Sequence, residues 1–467
     1  MSTPAAWFDR GRELLAANAH DTPAFAEGLR LLKKAAFADS IEAQIALGHV
    51  YARFHALPDA PTECVRWYRA AAECRHPVAM DRLADLYMLG RGLVRDDAAA
   101  LAWYTRTAAQ VYPHALCNLA YMQDHGLGTA SDPRAATANY LRATALADAR
   151  GLFNLGLRYA AASGNSRAAA SACLALAAFA QYPLASEASA RLELTLDAAT
   201  RERARALTDD LRLHLRAFQQ RFESDRVLAN DPPRVLQFAL ENLATLAERA
   251  FTLAGSQATD CAAAPEPGAQ QAISESPRIF TIDDFVNPSE CAHFMALATA
   301  RFASADKATD ERLSGEQTKF SGDAATLHIP DGDAVVRNIE RRIGAAFDLP
   351  ATHVEPLSIL RYRQADSYAP HVDYFSQARL EHKRRFGDRS GQRIASFLVY
   401  LRAPEQGGET EYLKLGRKVA GRPRMALCHL NLTAWGAPDA HTLHTGRPVL
   451  KGEKWLARTT LREKPFF

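Results

Sequence analysis

Several features are missing from this sequence of 467 residues. It has no apolar run of about eighteen residues, the length that a membrane-spanning helix needs, and its N-terminus lacks a basic start followed by an apolar core. A strong excess of charge is missing too, because a formal net charge of +3 is too small to indicate nucleic acid or an anionic membrane as a partner. These absences predict a cytoplasmic protein with neither of those partners.

Cysteine is scarce as well. The seven cysteines are odd in number and have no paired spacing, so neither a disulfide framework nor a zinc site is predicted. Such thiols suit a reducing compartment. The length, by contrast, exceeds that of one ordinary domain, and about two or three domains are expected.

Two histidines and one aspartate towards the C-terminus have the pattern of a metal site. His371 and Asp373 are one residue apart, so in an extended segment they project from the same face. His444 follows a strand-like run at 425–432, and a neighbouring strand could therefore supply it as a third ligand. Two imidazoles and a carboxylate are the ligand set of non-haem Fe(II) oxygenases. Lys454 could give a dicarboxylate cosubstrate its counter-charge.

Residues 278–467 contain seven short segments, in order, that resemble the catalytic domain of the prolyl 4-hydroxylases. They are IFTIDDF at 279–285, LRYR at 360–363, YAPHVDY at 368–374, RIASFLVYL at 393–401, GGET at 407–410, HTGRPV at 444–449 and GEKW at 452–455. The resemblance implies a 2-oxoglutarate- and Fe(II)-dependent dioxygenase with a double-stranded β-helix, or jelly-roll, fold. Such an enzyme converts 2-oxoglutarate to succinate and carbon dioxide while it hydroxylates a C–H bond. A use of ascorbate (vitamin C) is implied as well.

The resemblance also assigns roles to individual residues. Three are implied as the catalytic iron ligands: His371, Asp373 and His444. Three more are implied to bind 2-oxoglutarate: Lys454, Tyr362 and Thr410. Another three are implied near the substrate, although each could equally belong to the framework: Tyr368, Glu355 and Arg393. Four other histidines are predicted not to be ligands: His353, His382, His429 and His441.

The sequence departs from the family pattern near its C-terminus. Thr460 and Arg462 stand where some members carry Trp-x-His along the substrate groove, so those positions do not support specificity for a proline peptide. The segment 379–393, directly after the first two ligands, has six lysines or arginines. It could be a lid that attracts an acidic partner or simply a solvated loop.

The N-terminal part repeats every 36 residues. Leu-Gly or Leu-Ala pairs recur at 47–48, 83–84, 119–120 and 155–156, and Trp-Tyr or Asn-Tyr pairs recur at 67–68, 103–104 and 139–140. The pattern resembles the Sel-one-like class of tetratricopeptide-related repeats, which implies an α-solenoid of helix pairs over 1–164. Solenoids of this kind commonly hold a protein or peptide.

The complete prediction is a multi-domain α + β protein. Helical periodicity continues through 165–255 as an extension of bridging helices, and 256–277 has the composition of a flexible linker before the oxygenase domain of 278–467. The leading hypothesis is hydroxylation of a peptidyl proline in a protein substrate that the repeats present. A hydroxylase of a free amino acid or small metabolite, or a repeat-based scaffold with a relic oxygenase fold, are the alternatives.

Overall fold

The computed structural model describes residues 3–17, 22–54, 57–110, 112–146, 148–161, 166–224, 268–302, 320–385 and 387–466. The chain divides into two compact units, Met1–Asp96 with Glu266–Phe467, and Asp97–Pro265. Within the described ranges, no helix is both long and apolar enough to cross a membrane. Residues 225–255 of the expected helical extension and 256–267 of the expected linker lie outside them.

Five helices open the first unit: α1 (Pro4–Ala17), α2 (Pro23–Ala36), α3 (Ile41–Arg53), α4 (Ala60–Glu73) and α5 (Pro77–Leu89). The repeated residues build their core, because Leu47 and Leu83 are fully buried. Gly48 lets α3 and α4 approach closely, since a Cβ there would lie 2.5 Å from the ring of Tyr68. The repeated Leu and Gly positions therefore form the contacts between helices.

The second unit continues the helix pairs. Its helices, as far as residue 224, are α6 (Asp97–Ala108), α7 (Pro113–Asp124), α8 (Pro133–Ala145), α9 (Ala149–Ala161), α10 (Ser166–Phe179), α11 (Ala185–Glu193) and α12 (Ala198–Ser224). Tyr104 and Leu155 are fully buried, as the 36-residue period predicts. Gly128 has φ +71° and its Cα faces the carbonyl of Asp97 so closely that no Cβ would fit.

Among the described residues, thirteen strands lie in the part of the first unit that follows the helices: β1 (Gln270–Glu275), β2 (Arg278–Ile282), β3 (Asp323–Leu327), β4 (Leu357–Tyr362), β5 (Tyr368–His371), β6 (Arg393–Arg402), β7 (Gln406–Gly407), β8 (Thr410–Tyr412), β9 (Arg417–Val419), β10 (Ala426–Leu430), β11 (His444–Gly446), β12 (Val449–Lys451) and β13 (Lys454–Arg462). All pairs are antiparallel. One sheet has the order β1-β2-β10-β6-β13-β4-β3, another β5-β11-β8-β9, and a third pairs β12 with β7.

The large sheet and the four-stranded sheet share one apolar core. Leu360, Tyr400 and Leu456 come from the first sheet, whereas Tyr412 and Val419 come from the second, and all five belong to one buried cluster. Antiparallel sheets joined through a common core are the jelly-roll arrangement that the resemblance implied. The predicted fold class, helical repeats followed by this β domain, is confirmed.

In the described part of this region, three α-helices accompany the sheets: α13 (Pro288–Phe302), α14 (Ala334–Ala345) and α15 (Gln377–Arg385). Asp333 caps α14, because its carboxylate accepts the backbone N–H groups of Val335 and Val336, as its position before an amphipathic run predicts. Helix α15 lies in the basic segment and buries none of its residues.

Helix α5 of the repeats contacts the oxygenase region directly. Arg82 donates hydrogen bonds to the backbone carbonyls of Ile329, at 3.1 Å, and of Gly332, just before α14. Its guanidinium is buried and also pairs with Asp85 at 2.8 Å. Breaking such a buried pair from one side typically costs about 3 to 5 kcal/mol. The N-terminal repeats are therefore joined to this region by a specific contact, in addition to the chain connection that the sequence indicated.

The expected linker ends earlier than its composition predicts. Residues 270–275 form β1 and pair with β2, so a flexible linker up to residue 277 is wrong for that stretch. The physical reason is that an edge strand can be held by backbone hydrogen bonds, and its side chains, largely exposed here, need not be apolar.

Candidate active site

The three predicted iron ligands converge at the ends of two paired strands. His371 ends β5 and lies directly opposite His444, the first residue of β11, in the antiparallel register. Asp373 follows two residues after His371, and its carboxylate lies 3.6 Å from His371 Nε2 and 3.9 Å from His444 Nε2. One ligand atom from each of the three residues lies within 4.8 Å of the others. The neighbouring strand therefore supplies the third side chain, as predicted.

In both histidines, Nε2 is the ring nitrogen that is available to a metal. The Nδ1–H of His371 donates to the carbonyl of Ala369 at 2.8 Å, and that of His444 donates to the carbonyl of Thr442 at 2.9 Å. Each bond orients the ring and leaves Nε2 with a free lone pair. Burial lowers the pKa of His371 and brings the pKa of His444 to about 3, so both rings are neutral at ordinary pH.

Asp373 is held as an ionised carboxylate. Its burial opposes ionisation, but the polar contact with His429 and the nearby Arg458 guanidinium keep its pKa well below the usual range. Ser396 donates a 2.6 Å hydrogen bond to Oδ2, and Asn431 in turn donates to Ser396 at 3.0 Å. The ligand carboxylate is thus fixed by a chain of buried polar groups.

This donor set fits Fe(II). Two neutral imidazole nitrogens and one ionised carboxylate, oriented by partners behind them, are suited to a divalent transition metal that keeps open positions. His371, Asp373 and His444 would hold it. When bound with 2-oxoglutarate and dioxygen, Fe(II) supplies the oxidative chemistry that amino-acid side chains lack.

A buried lysine closes one end of the same pocket. Lys454 begins β13 and is 1% exposed. Its ammonium donates to the carbonyl of Gly408 at 2.8 Å and lies 4.7 Å from the ring centre of Tyr362. Burial lowers the pKa of Lys454 to about 8. Gly408, in the GGET segment, thus supplies an acceptor to this lysine.

The other two predicted cosubstrate residues lie around Lys454. Tyr362 is its direct partner in the register of β4 and β13, and Thr410 lines the same pocket. The Thr410 hydroxyl hydrogen-bonds the hydroxyl of Tyr400 at 2.8 Å, and the Tyr400 ring also faces the lysine, 5.3 Å from Nζ. A cation surrounded by hydroxyl groups in a buried pocket can bind a carboxylate. Binding of 2-oxoglutarate by these residues stays a prediction.

The three predicted substrate residues separate into two environments. Tyr368 lines the pocket, and its ring stacks on His371 with centres 4.0 Å apart. Arg393 instead makes two hydrogen bonds to Glu355, of 3.0 and 2.7 Å, outside the pocket lining. The framework alternative raised for Glu355 and Arg393 thus has a physical basis, and a substrate contact by either stays a prediction.

Arg462, one of the two departures from the family pattern, belongs to that same framework. It is 1% exposed, bonds Glu355 at 2.9 Å and pairs with Asp388 at 3.2 Å. These arginines hold the pKa of Glu355 below its usual range despite burial. Thr460, the other departure, lines the pocket. Arg462 therefore joins β13 to the segment that follows His371 and Asp373.

Two pocket neighbours were missed by the sequence analysis. His429, predicted not to be a ligand, is buried with Nε2 3.6 Å from Asp373 Oδ2 and Nδ1 2.9 Å from the hydroxyl of Tyr412. Arg458 lies on β13 with a nitrogen 3.8 Å from Asp373 Oδ1. Its spacing of four from Lys454 on a strand was the available signal for a shared face.

Comparisons with known proteins agree with this geometry. Residues 357–461 match the family described as the 2OG-Fe(II) oxygenase superfamily, and 41–76, 77–112 and 113–148 each match the Sel1 repeat. The three Sel1 matches confirm the predicted 36-residue period. The chain belongs to the 2OG-Fe(II) oxygenases and is an enzyme of the prolyl 4-hydroxylase-like group within them.

Its similar relatives include plant enzymes. It is 33% identical over 216 residues to probable prolyl 4-hydroxylase 7 of Arabidopsis thaliana, covering 42% of this chain and 65% of that protein. It is 30% identical over 211 residues to prolyl 4-hydroxylase 1 of the same plant, covering 42% and 72%. A viral collagen prolyl hydroxylase from Paramecium Bursaria Chlorella virus-1, solved as a 2OG complex, matches with TM-score 0.31 and 22% identity over 39% of this chain and 95% of that one.

Proposed function

We propose that this enzyme hydroxylates a prolyl residue in a protein or peptide, using Fe(II) and 2-oxoglutarate. The observation that carries the proposal is the pocket in which three converging ligand side chains and a buried lysine face the same space. The similarity of about 30% to prolyl 4-hydroxylases supports a prolyl target. An intact ligand set and a buried cation give no support to a relic fold.

Each side chain has a defined task in this proposal. His371, Asp373 and His444 hold the metal, and Ser396 keeps the carboxylate in position. Lys454 pairs with the distal carboxylate of 2-oxoglutarate, with Tyr362 and Thr410 beside it. Tyr368, stacked on a ligand ring, faces the substrate. Burial of the lysine end excludes water from the charged contact, which strengthens it.

The repeats would bind the polypeptide that carries the target residue. An exposed groove on the first-unit repeats is lined by Arg66, Arg69 and Glu73 of α4 together with Gly92. The buried Arg82 contact holds α5 of the same repeats against the oxygenase region. A partner that binds this groove would therefore be kept near the pocket, which raises its effective concentration there.

The first experiment incubates the full-length protein with Fe(II), ascorbate, 2-oxoglutarate and blocked proline-containing peptides, followed by mass spectrometry. Hydroxyproline formed in step with succinate is the expected result, and omission of ascorbate tests the predicted use of that reductant. Parallel reactions contain free L-proline. Conversion of the free amino acid but not of any peptide would replace the peptide proposal with the small-metabolite alternative.

The role of the repeats is tested once a protein substrate is known. Arg69→Glu should raise the KM for that protein and leave the KM for a short peptide of the same sequence unchanged. Arg10→Glu, at a solvent-exposed arginine on α1, is the matched control. Equal KM values for the protein in wild type and the Arg69 variant would contradict presentation by this groove.

A further inference from the structure

Arg458 lies on the strand that carries the cosubstrate lysine. Lys454, Leu456 and Arg458 alternate along β13 and all line the same pocket, because residues two apart on a strand share a face. In the register with β4, Lys454 is opposite Tyr362 and Arg458 is opposite Ser358. The strand thus carries two cations into one pocket, about 13 Å apart along the backbone at about 3.3 Å per residue.

The two cations lie at ends of different exposure. Lys454 is 1% exposed, and its neighbours Tyr362 and Thr410 are equally enclosed. The Arg458 side chain is 28% exposed, and it lies beside half-buried Tyr368. A cosubstrate that binds both Lys454 and the metal would occupy the enclosed end of the pocket. Arg458 is therefore at the open end, where a substrate enters.

Arg458 has few partners compared with the arginines around it. Arg393 and Arg462 each make close hydrogen bonds to the carboxylate of Glu355. The side-chain contacts of Arg458 include a 3.4 Å hydrogen bond to the Tyr368 hydroxyl, a position 5.7 Å from the centre of that ring, and the 3.8 Å approach to Asp373. A guanidinium has five N–H donors, so most of its binding capacity is left for a ligand.

The charge of Asp373 does not compensate Arg458 in the working enzyme. Asp373 is the carboxylate placed to bind Fe(II), and a carboxylate that binds a divalent cation has little charge left for a neighbouring guanidinium. Another carboxylate that acts on Arg458, that of Glu355, is already shared by two arginines. The open end of the pocket therefore has an excess of positive charge.

We propose that Arg458 binds a carboxylate of the substrate, next to the carbon that is hydroxylated. The inference rests on the proposed function and narrows its substrate to acidic ones. The carboxylate can be the side chain of an aspartate or glutamate beside a peptidyl proline, or the α-carboxylate of a free amino acid. Charge-assisted hydrogen bonds to a planar guanidinium bind either group in the same way.

The basic surface of the segment that contains helix α15 also favours a negatively charged substrate. The helix begins four residues after Asp373, and the exposed side chains that follow include Arg384, Arg385 and Arg389. The segment is fastened to the site by the pairs of Asp388 with Lys383, at 3.1 Å, and with Arg462. An acidic polypeptide entering the pocket would pass a surface of opposite charge, which favours its association.

The test measures ligand binding without oxygen, so it needs no turnover. Matched blocked peptides with Asp or Asn before proline, and L-proline with L-prolinamide, are titrated anaerobically by calorimetry into the full-length protein loaded with Fe(II) and 2-oxoglutarate. The wild type should bind the acid of at least one pair about tenfold to a hundredfold more tightly than the amide. Which pair shows the preference identifies the source of the carboxylate.

Two variants locate that preference. Arg458→Met, which keeps length but removes charge, should abolish it, and Arg458→Lys should restore part of it. Arg424→Met is the matched control, because Arg424 is 40% exposed, pairs with Asp284 at 2.7 Å and is outside the pocket lining. A wild type that does not prefer the acids, or a preference that survives Arg458→Met, would overturn the proposal.

A second measurement excludes a role in binding the cosubstrate. The affinity for 2-oxoglutarate, titrated in the same anaerobic apparatus, should change by less than about threefold in Arg458→Met. A loss of tenfold or more, with the acid preference intact, would assign Arg458 to the cosubstrate and overturn the inference. Failure of the proposed prolyl function would be seen separately, as an acid preference in binding without hydroxyproline in the aerobic reaction.

Discussion

The two ends of the active-site pocket each have a cation from strand β13, but the two cations differ in their exposure to solvent. At the inner end, Lys454 is buried among tyrosine rings, and its main bond in the structure is to a backbone carbonyl. At the outer end, Arg458 is partly exposed beside a metal ligand. The lysine has lost solvation, which lowers its pKa to about 8, whereas the arginine keeps its charge at any ordinary pH.

This difference indicates which ligand each end can discriminate. A buried cation binds one carboxylate of fixed position strongly, because its surroundings have a low dielectric constant. It binds a ligand that keeps its hydration shell poorly, because that shell does not fit in the enclosed space. A partly exposed guanidinium accepts ligands of varied size and still requires their charge. The enclosed end therefore suits an invariant cosubstrate, and the open end suits a substrate that has yet to be identified.

Loss of a metal ligand, which lies between the two ends, should have the largest effect. His371→Ala, Asp373→Ala and His444→Ala are each expected to abolish 2-oxoglutarate turnover, because the two remaining side chains hold Fe(II) weakly. Succinate release and bound iron are measured together. Substantial turnover in all three variants would refute the metal site. His441→Ala, at a ring that is largely exposed and bonds Asp439, is the control.

Removal of the inner cation should weaken the cosubstrate and spare the metal. A charge-assisted hydrogen bond to a carboxylate contributes about 1.5 to 3 kcal/mol, so Lys454→Ala should raise the Kd for 2-oxoglutarate by about tenfold to a hundredfold. Iron content should be unchanged. Lys451→Ala, at an exposed lysine on β12 that pairs with Glu405, is the control. An unaltered Kd in the Lys454 variant would place the anchor elsewhere.

Much of this arrangement follows from the sequence because it depends on local spacing. The spacing of His371 and Asp373 predicts that both face one site, and the structure brings them together although β5 ends at His371. The 36-residue recurrence of Leu, Gly and Tyr predicts helix pairs because the same packing contact returns in each pair. Both inferences need only short-range geometry, and both agree with the structure.

The missed features depend on contacts between distant segments. His429 reaches Asp373 because β10 and β6 pair in a register that sets His429 opposite Ser396, and the sequence does not specify that register. The contact of Arg82 with Gly332 joins residues 250 positions apart. Strand β1 was missed for a different reason. Its side chains are mostly polar, so the sequence lacks an apolar strand pattern although the backbone pairs with β2.

The effect of His429 on the metal ligand should be smaller than that of Lys454 on its cosubstrate. His429→Phe keeps a ring in the buried space but removes the polar contact with Asp373. Partners behind metal ligands typically contribute about tenfold to a hundredfold in metal affinity, and the 3.6 Å separation favours the lower value. Competition with a chelator measures the Fe(II) affinity. Unchanged affinity would make His429 a core residue only.

The last effect, which needs no substitution, is a pH dependence that separates the two ends. In the free protein Lys454 is charged below its pKa of about 8 and loses its proton as the pH rises through that value. A dianionic cosubstrate binds the charged form, so its affinity should fall with rising pH, by about tenfold at one unit above the pKa. Acid preference at Arg458 should not change over the same range, because a guanidinium stays protonated. Anaerobic titration of 2-oxoglutarate and of the acid and amide peptides between pH 7 and 9.5 measures both.

The Lys454→Arg variant is the control. If it folds with the longer side chain, it should bind 2-oxoglutarate with no such decline, because a guanidinium keeps its proton over this range. A wild-type affinity that is constant up to pH 9.5 would show that the inner cation is not the group that pairs with the cosubstrate.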